Sequence, residues 1–187
     1  MKRFGDPVLL LLLATSLAGN VYFARTARYA PRSTPILELG TKVPAVRGTG
    51  LDGAKVELRY ESRPQILYVF SPKCIWCDRN MENAKQLAQQ TAERYDFVAV
   101  ALNAEDLEGY VRRHSLSWKV VKDIPTEIQQ AFGMAGTPQT IVVDIGGKVR
   151  HVWSGALSGS ALAEVEKALD VRLPGLNNAT PPVSTPS

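Results

Sequence analysis

Residues 65–77 read QILYVFSPKCIWC and join an apolar run to the only two cysteines of the 187-residue chain. The run at 65–70 is typical of a strand that is buried on both faces. Cys74 and Cys77 follow it, and an Asp-led helical pattern begins directly after them. Two thiols three residues apart at a helix start can close a small disulfide ring, and the backbone N–H groups and the helix dipole favour a thiolate on the first. The stretch therefore predicts a dithiol redox site at the end of a buried strand.

A zinc site is the alternative interpretation of a Cys-x-x-Cys motif. Structural zinc takes four Cys or His ligands, usually in two close pairs. The chain has no second cysteine pair, and His114 and His151 are its only histidines. Redox chemistry is therefore favoured, and we expect no metal at this site. Both histidines are interpreted as packed or surface residues.

The composition is typical of one globular domain with additional sequence at each end. Hydrophobic residues make up 45% of the chain and charged residues 21%, which suits a sizeable core. The net charge of +4 comes from basic residues spread along the chain, so no basic arm for nucleic acid is indicated. Two cysteines cannot form a disulfide framework, so a single short bridge fits a catalytic role better.

The N-terminus predicts an export signal or a membrane anchor over residues 1–25. Lys2 and Arg3 precede a strongly apolar run at 8–14, and a weaker run extends it to residue 24, about the length of a short membrane span. Ser16 and Ala18 form a small-x-small pattern that would suit cleavage, whereas the continuing apolar sequence favours retention as a single anchor, which we prefer. Residues 26–35, rich in Arg, Ser, Thr and Pro, predict a tether.

Strand and helix patterns alternate over residues 36–173, which predicts an α/β domain with parallel pairing. A turn signal at Asp52-Gly53 indicates a hairpin within 43–58, ahead of the strand at 65–70. The later patterns are a helix over 78–94 with Cys77 in its first turn, a strand over 97–102, a helix from Leu107 to His114, a strand over 118–121, a short helix over 126–132, and strands over 140–144 and 148–153.

A final helix closes the predicted domain. Its apolar face consists of Ala161, Leu162, Val165, Ala168 and Leu169, with Ser158 or Ser160 as the N-cap. Residues 174–187 contain four prolines and no charged residue. That composition is typical of a disordered tail.

This order of elements resembles the thioredoxin superfamily, and more narrowly the membrane-anchored thiol-disulfide oxidoreductases of the TlpA/ResA type within the redoxin group. Three matches carry the resemblance: residues 70–77 as the strand end and active site, 136–140 as the cis-proline loop, and 143–148 as the following turn. The resemblance covers residues 36–173. It implies a thioredoxin-like fold, in which helices flank a central mixed β-sheet.

The resemblance also implies roles for individual residues. Cys74 would be the attacking thiolate, and Cys77 would resolve the mixed disulfide that forms on it. Thr137 and Pro138, joined by a cis bond, would position a partner strand beside the cysteines. Trp76 departs from the family pattern, and either contacts a partner or packs on the loop as a surface aromatic. The only redox group expected is the Cys74–Cys77 disulfide itself, with no cofactor.

A second departure lies at Tyr68, six residues before Cys74. Classical thioredoxins often carry a buried acid at this strand position, where it assists proton transfer. Without it, either Cys77 loses its proton to water or another carboxylate serves. Asp78 is the nearest in sequence, but for it a role in capping or in the first helical turn is favoured.

The function expected from the resemblance is extracytoplasmic thiol–disulfide exchange, with reduction as the usual direction in the family, for example of apocytochrome cysteines before haem attachment. The partners would be protein thiols and disulfides and a membrane electron donor, with the chain held in the cell membrane and its domain facing the periplasm or the cell exterior. The alternative is a thioredoxin-fold copper chaperone or adaptor that uses the same cysteines, with Met81 or, as the better placed candidate, Met134 as a third ligand. Thiol peroxidase chemistry is disfavoured because it needs a lone peroxidatic cysteine with Thr and Arg nearby.

Overall fold

The structure, a computed structural model, describes residues 6–28 and 37–176. The described residues divide into two compact units, one within residues 1–33 and one within residues 34–187. In the first unit, α1 (Asp6–Arg28) is a 23-residue helix. Among the described residues, no helix combines the length and hydropathy that crossing a membrane requires. Most of the predicted tether and tail, residues 29–36 and 177–187, lies outside the described residues.

Within residues 37–176 the second unit contains one mixed sheet of seven strands, in the order β2-β1-β5-β4-β3-β6-β7. The strands are β1 (Val46–Gly50), β2 (Lys55–Leu58), β3 (Gln65–Phe70), β4 (Asp96–Ala101), β5 (Lys119–Lys122), β6 (Gln139–Val143) and β7 (Val149–Ser154). The three central strands β3, β4 and β5 are parallel, and the outer strands pair antiparallel. The predicted mixed sheet and both predicted hairpins are confirmed.

Five helices accompany the sheet in the described part of this unit: α2 (Ile75–Arg79), α3 (Met81–Thr91), α4 (Leu107–Arg113), α5 (Thr126–Ala131) and α6 (Gly159–Leu169). The helix predicted over 78–94 therefore begins earlier, ends earlier and is interrupted at Asn80. Asn80 is 1% exposed, and its side-chain oxygen accepts hydrogen bonds from the Leu157 backbone N–H and from Asn83. Asn80 thus ties the junction between α2 and α3 to a distant loop, a tertiary contact that local periodicity does not report.

The central strand β3 is buried along its whole length. Leu67 and Val69 pack into one core cluster, whereas Tyr68 and Phe70 pack into another that also holds Cys77. This alternation follows from the two-residue period of a strand. The face of β3 that carries Tyr68 and Phe70 therefore forms the floor beneath the cysteine motif.

The apolar face predicted for α6 is only partly correct. Val165 and Leu169 are buried, and Ala161 and Leu162 are half-buried, but Ala168 is exposed. The helix buries a narrow i, i+4 stripe against the sheet, so residues off that stripe face outward. Ser158 occupies the N-cap position, but its side chain makes no capping hydrogen bond.

Candidate active site

The cysteine motif begins where β3 has ended and α2 starts. Cys74 is the N-cap residue of α2, with φ −89° and ψ 109°, and its sulfur accepts a hydrogen bond from the Cys77 backbone N–H at 3.2 Å. Free N–H groups and the positive end of the helix dipole meet at an N-cap. The fold therefore places the Cys74 sulfur where negative charge is stabilised.

The loop at Thr137 and Pro138 lies directly against this sulfur. The Thr137–Pro138 peptide bond is cis, as the resemblance implies. The Cys74 thiol donates a hydrogen bond to the Thr137 carbonyl oxygen at 3.3 Å, across 63 positions of sequence. Strand β6 starts directly after Pro138 and pairs with β3. This pairing places the loop beside the cysteine motif. Thr137 is half-buried and Pro138 is buried, so Thr137 is the more accessible of the two.

The two thiols differ in their surroundings. Both cysteines are free, Cys74 is half-buried, and Cys77 is fully buried. Burial, together with the hydrogen bond to Cys74, raises the pKa of the Cys77 thiol far above its ordinary value of 9.0. Cys77 therefore keeps its proton at neutral pH, while Cys74 is the thiol that a partner can reach. This difference agrees with the predicted roles, in which Cys74 attacks a partner disulfide and Cys77 resolves the mixed disulfide.

Trp76 lies on the surface between the cysteines. Its side chain is 48% exposed, next to the equally exposed Ile75. The Arg79 guanidinium stands 5.0 Å from the centre of the Trp76 ring, within the range of a cation–π contact. The indole is thus available to a partner, and its role in binding stays a prediction.

The charge at Lys73, next to the attacking cysteine, is balanced by an acid. Its ammonium group forms an ion pair with the Glu105 carboxylate. Both side chains are more than half exposed, so the pair contributes little to stability. It does, however, reduce the positive charge that Lys73 presents to Cys74.

Two buried phenols lie beneath the motif, and one of them occupies the position of the thioredoxin acid. Tyr68 accepts a 3.5 Å hydrogen bond from the Asn80 side-chain nitrogen, and burial keeps its pKa far above 10.0. Tyr110, from α4, is fully buried, and its hydroxyl has no hydrogen-bond partner among the described residues. Burial, and then the charge of Tyr68, raise the pKa of Tyr110. Neutral hydroxyls therefore replace a carboxylate beside Cys77.

Asp78 and His114 form a pair that local sequence patterns do not predict. The His114 Nε2 lies 3.0 Å from the Asp78 Oδ1, although the residues are 36 positions apart. Asp78 is in the first turn of α2, as predicted, while the N-cap is Cys74. His114 ends α4, and its ring lies 4.4 Å from that of Tyr110. Only the packing of α4 beside α2 brings the two side chains together.

Three further residues support the site and were not predicted to do so from the sequence: Asn80, Asn83 and Tyr110. Asn83 donates to Asn80 and to the Leu157 carbonyl, and accepts from the Gly175 backbone N–H. The burial of both asparagines could have been predicted from the sequence, because they lie three residues apart on the helix face that continues with Ala84 and Leu87. A polar residue on a buried helical face predicts a buried hydrogen-bond network.

We expect the fold to lose stability at alkaline pH. The pKa values of Cys77, Tyr60, Tyr68 and Tyr110 are all raised in the folded chain, from ordinary values of 9.0 for the thiol and 10.0 for the phenols. Above those values the unfolded chain releases protons that the folded chain retains, so the free energy of unfolding falls as the pH rises. Each group contributes about 1.4 kcal/mol per pH unit in that range.

Urea unfolding of the reduced protein at pH 8 and pH 11 measures this loss. Tyr110→Phe is the matched variant, because it removes one titrating phenol whose hydroxyl lacks a partner. Its free energy of unfolding should decline less steeply with pH than that of the parent chain. Equal stability of the parent at pH 8 and pH 11 would contradict the expectation.

The candidate third ligands for copper lie in different places. Met81 packs in the cluster that contains both cysteines, whereas Met134 packs with Phe132 and Ile141 in another cluster. Met134, the better placed candidate in the sequence, therefore shares no cluster with the cysteines, and Met81, which is 2% exposed, is the remaining candidate ligand. Within residues 6–28 and 37–176, no group of three or more His, Cys, Asp or Glu residues could hold a metal.

Two relatives that this chain resembles in sequence are named as thiol-disulfide oxidoreductases. "Thiol-disulfide oxidoreductase ResA" of Bacillus cereus is 25% identical over 167 residues, which cover 87% of this chain and 94% of the relative. The protein of the same name from Halalkalibacterium halodurans is 27% identical over 167 residues, covering 87% of this chain and 93% of the relative. These relatives are matched over nearly their whole length.

Solved structures show the same fold. A thiol:disulfide interchange protein of the thioredoxin family from Chlorobium tepidum superposes with a TM-score of 0.57 at 22% identity, covering 71% of this chain and 97% of that one. StoA from Bacillus subtilis superposes with a TM-score of 0.54 at 18% identity, covering 66% of this chain and 98% of that one. The sheet and helices described above are therefore those of a thioredoxin-like domain.

The family model named Redoxin matches residues 38–169, which span the whole sheet and the cysteine motif. This match and the similarity to the ResA relatives agree with the structure, which has a thioredoxin-like sheet and two thiols at the start of α2. The chain belongs to the Redoxin family, as a thioredoxin-like thiol-disulfide oxidoreductase of the TlpA/ResA type.

Proposed function

We propose that the protein is an extracytoplasmic reductase of protein disulfides that works through Cys74 and Cys77. One observation carries the proposal: the half-buried Cys74 sulfur caps α2 and contacts the Thr137 carbonyl, while the fully buried Cys77 is one helical turn away. An accessible thiol at a helix N-terminus with a shielded second thiol is the arrangement that two-step disulfide exchange requires.

In the first step the Cys74 thiolate attacks one sulfur of a partner disulfide. A bond forms between Cys74 and that sulfur, and the partner's other sulfur leaves as a thiolate. In the second step Cys77 loses its proton and attacks the Cys74 sulfur. The Cys74–Cys77 disulfide forms, the bond to the partner breaks, and the partner leaves with both cysteines reduced. A membrane electron donor then returns the Cys74–Cys77 pair to the dithiol state.

Substrate contacts are proposed for Thr137, Pro138 and Trp76. Thr137 already presents its carbonyl oxygen to Cys74, so a partner strand lying along this loop would reach the sulfur while pairing with backbone groups. Pro138 is buried and would act by holding that loop. The exposed Trp76 ring, two residues after Cys74, offers a partner apolar contact.

The reductive direction is part of this proposal, and the charges near Cys74 support it. Strong oxidants of this fold owe their potential to a strongly stabilised reduced form. Here the ammonium group of Lys73 is engaged by Glu105, and neutral phenols occupy the floor of the site. The weaker support for a thiolate favours a reducing protein, and apocytochrome cysteines are one partner class to test.

The location rests on the N-terminal sequence. Lys2 and Arg3 precede an apolar run, which supports residues 1–25 as a signal-anchor in the cell membrane and 26–35 as a tether. The redox domain, residues 36–173, would then face the periplasm or the cell exterior, followed by the Pro-rich tail at 174–187. Separating membrane and soluble fractions of the native cell, with protease added outside the membrane, tests this placement.

The function is tested by measuring the reduction potential of the Cys74–Cys77 pair in the full chain, together with insulin reduction and Cu(I) titration. We expect catalysed insulin reduction and a potential closer to that of thioredoxin, about −270 mV, than to that of DsbA, about −120 mV. Tight stoichiometric Cu(I) binding with negligible reductase activity would instead support the copper chaperone, for which the packing of Met81 beside the cysteines is the favourable observation.

A further inference from the structure

A short loop after β7, residues 155–157, is bonded to both halves of the active site, and we call it the bridging loop. Its first residue, Gly155, donates a backbone hydrogen bond to the Pro138 carbonyl oxygen at 2.8 Å. The backbone N–H of its last residue, Leu157, donates to the side-chain oxygen of Asn80 at 2.9 Å. Asn80 is the residue at which α2 ends. One segment of three residues therefore holds the proline loop on one side and the cysteine helix on the other.

Two asparagine side chains bind the backbone of Leu157 from both of its polar groups. Asn80 accepts from the Leu157 N–H, and the Asn83 side-chain nitrogen donates to the Leu157 carbonyl oxygen at 3.1 Å and to the Asn80 side-chain oxygen at 3.0 Å. The Asn83 side-chain oxygen accepts from the Gly175 backbone N–H at 2.9 Å, and the Asn80 side-chain nitrogen donates to the Tyr68 hydroxyl at 3.5 Å. Each polar atom of the two amide groups thus has a hydrogen-bond partner.

Both asparagines occupy positions that an apolar side chain could fill. Asn80 is 1% exposed and Asn83 is 0% exposed, and the same face of α3 buries Ala84 and Leu87. Burying an amide group costs free energy unless its hydrogen bonds are made. A buried polar network whose members are all satisfied selects one arrangement of the groups that it joins. The two amides therefore fix the position of α2 against the bridging loop, which packing by apolar side chains alone would leave less specific.

These contacts close a ring of hydrogen bonds that passes through both cysteines. The bridging loop holds the Pro138 carbonyl, and the adjacent Thr137 carbonyl accepts from the Cys74 thiol at 3.3 Å. The Cys74 sulfur in turn accepts from the Cys77 backbone N–H at 3.2 Å. Cys77 precedes Asn80 by three residues in the same short helix, and Asn80 returns the ring to the bridging loop. The placement of Cys77 relative to the sulfur that it attacks is therefore fixed from outside the motif as well as within it.

We propose that Asn80 and Asn83 are positioning residues that hold Cys77 in place to attack Cys74, and that they thereby set the rate of the resolving step and the stability of the Cys74–Cys77 disulfide. This inference rests on the proposed function and deepens it. A disulfide closes only between residues whose Cα atoms lie within about 7 Å and whose side chains point at each other. A displacement of about 1 Å can slow a reaction between positioned groups by about 100-fold. Holding the end of α2 therefore raises the effective concentration of the Cys77 sulfur at Cys74.

The step that the asparagines assist is the second exchange. The Cys77 thiolate bonds to the Cys74 sulfur, and the bond between Cys74 and the partner sulfur breaks. The partner sulfur leaves as a thiolate with the electron pair of that bond, so the partner disulfide has gained two electrons and the two cysteines have been oxidised. The proton that Cys77 loses is matched by the one that the departing partner thiolate takes from solvent. Neither asparagine gains or loses a proton, and each acts only by position.

The test measures closure of the disulfide at equilibrium and in time. The full chain is equilibrated with mixtures of reduced and oxidised glutathione to obtain its reduction potential. The reduced full chain is also mixed with oxidised glutathione and quenched with acid, and mass spectrometry follows the adduct on Cys74. In Asn80→Ala and Asn83→Ala we expect the equilibrium constant for closure to fall about 10-fold, which raises the reduction potential by about 30 mV. The adduct should form at the parent rate and be resolved about 10-fold more slowly.

Two controls separate this role from a general loss of structure. Leu169→Ala truncates a side chain that is 1% exposed and packs in the same core cluster as Leu157. It should lower the thermal unfolding temperature but leave the reduction potential and both rates at the parent values. Thr91→Val removes a buried hydroxyl of α3 that donates within the helix, to the Leu87 carbonyl oxygen at 2.7 Å. Because that bond does not reach the bridging loop, the potential and both rates should again stay unchanged.

Parent values of the potential and of the resolution rate in either folded asparagine variant would overturn the positioning role. Asn83→Ala keeps the bond from Leu157 to Asn80, so it decides the question if Asn80→Ala does not fold. An equal slowing of adduct formation and resolution, or the same shift of potential in Leu169→Ala, would also overturn it. A parent chain that forms no adduct on Cys74 would reject the proposed function itself, whereas a parent that forms and resolves the adduct no faster than the variants would reject this inference alone.

Discussion

Replacing Cys74 by Ser is expected to lower the rate of insulin disulfide reduction by on the order of 10³-fold or more. The hydroxyl is a far weaker nucleophile than a thiolate, and the remaining thiol, Cys77, is fully buried and holds its proton. The chain contains only two cysteines, so no third thiol can substitute. The measurement is the initial rate of insulin reduction by the full chain with dithiothreitol as the electron source.

Cys77→Ser is the companion variant, and it should behave differently. Cys74 can still attack, but nothing releases the partner, so mixed disulfides should accumulate and be recovered from native membranes on non-reducing gels. The double Cys74→Ser/Cys77→Ser variant is the matched control and should capture none. Capture by Cys74→Ser in place of Cys77→Ser would reverse the assignment of the two thiols.

Truncating Phe70 is expected to give the largest loss of stability among the residues beneath the site. Phe70 is 0% exposed, and its ring lies 6.1 Å from that of Tyr68 and 5.3 Å from that of Tyr110. Its partner in β4 is the small residue Ala101, which cannot fill the space left by the ring. Phe70→Ala should therefore lower the free energy of unfolding by about 3–5 kcal/mol, as measured by urea denaturation.

Two variants serve as references for that loss. Phe70→Leu keeps most of the buried volume and should cost less than half as much as Phe70→Ala. Leu39→Ala truncates a side chain that is 66% exposed and should change the free energy of unfolding by no more than about 0.5 kcal/mol. A loss below about 1 kcal/mol in Phe70→Ala would show that the cluster beneath the motif repacks around the gap.

The parts of the fold that were predictable have local signals. The apolar run of β3, the turn residues at Asp52-Gly53 and the three- to four-residue spacing of Met81, Ala84 and Leu87 each encode one element within a short window. The interruption at Asn80 was not predicted, because it depends on a hydrogen bond to Leu157, 77 residues away. The exposure of Ala168 likewise depends on which stripe of α6 meets the sheet.

The order of the strands in the sheet could not be predicted from the sequence. The hairpin of β1 and β2 was predicted, but its antiparallel pairing with β5 was not. An antiparallel strand at the edge of a parallel sheet leaves no local pattern that names its neighbour. Only the structure shows that β1 and β5 approach each other closely: a Cβ on Gly48 would lie 2.7 Å from the Val121 side chain.

By itself, the sequence predicted a dithiol redox site and its place in the fold, because two thiols three residues apart follow an apolar strand pattern directly and precede a helical one. The tertiary structure decided how the thiols differ and what surrounds them. Packing buried Cys77 and left Cys74 half-buried against Thr137. It also brought His114 to Asp78. Burial and long-range contact arise from the arrangement of whole helices and strands, which no short stretch of sequence contains.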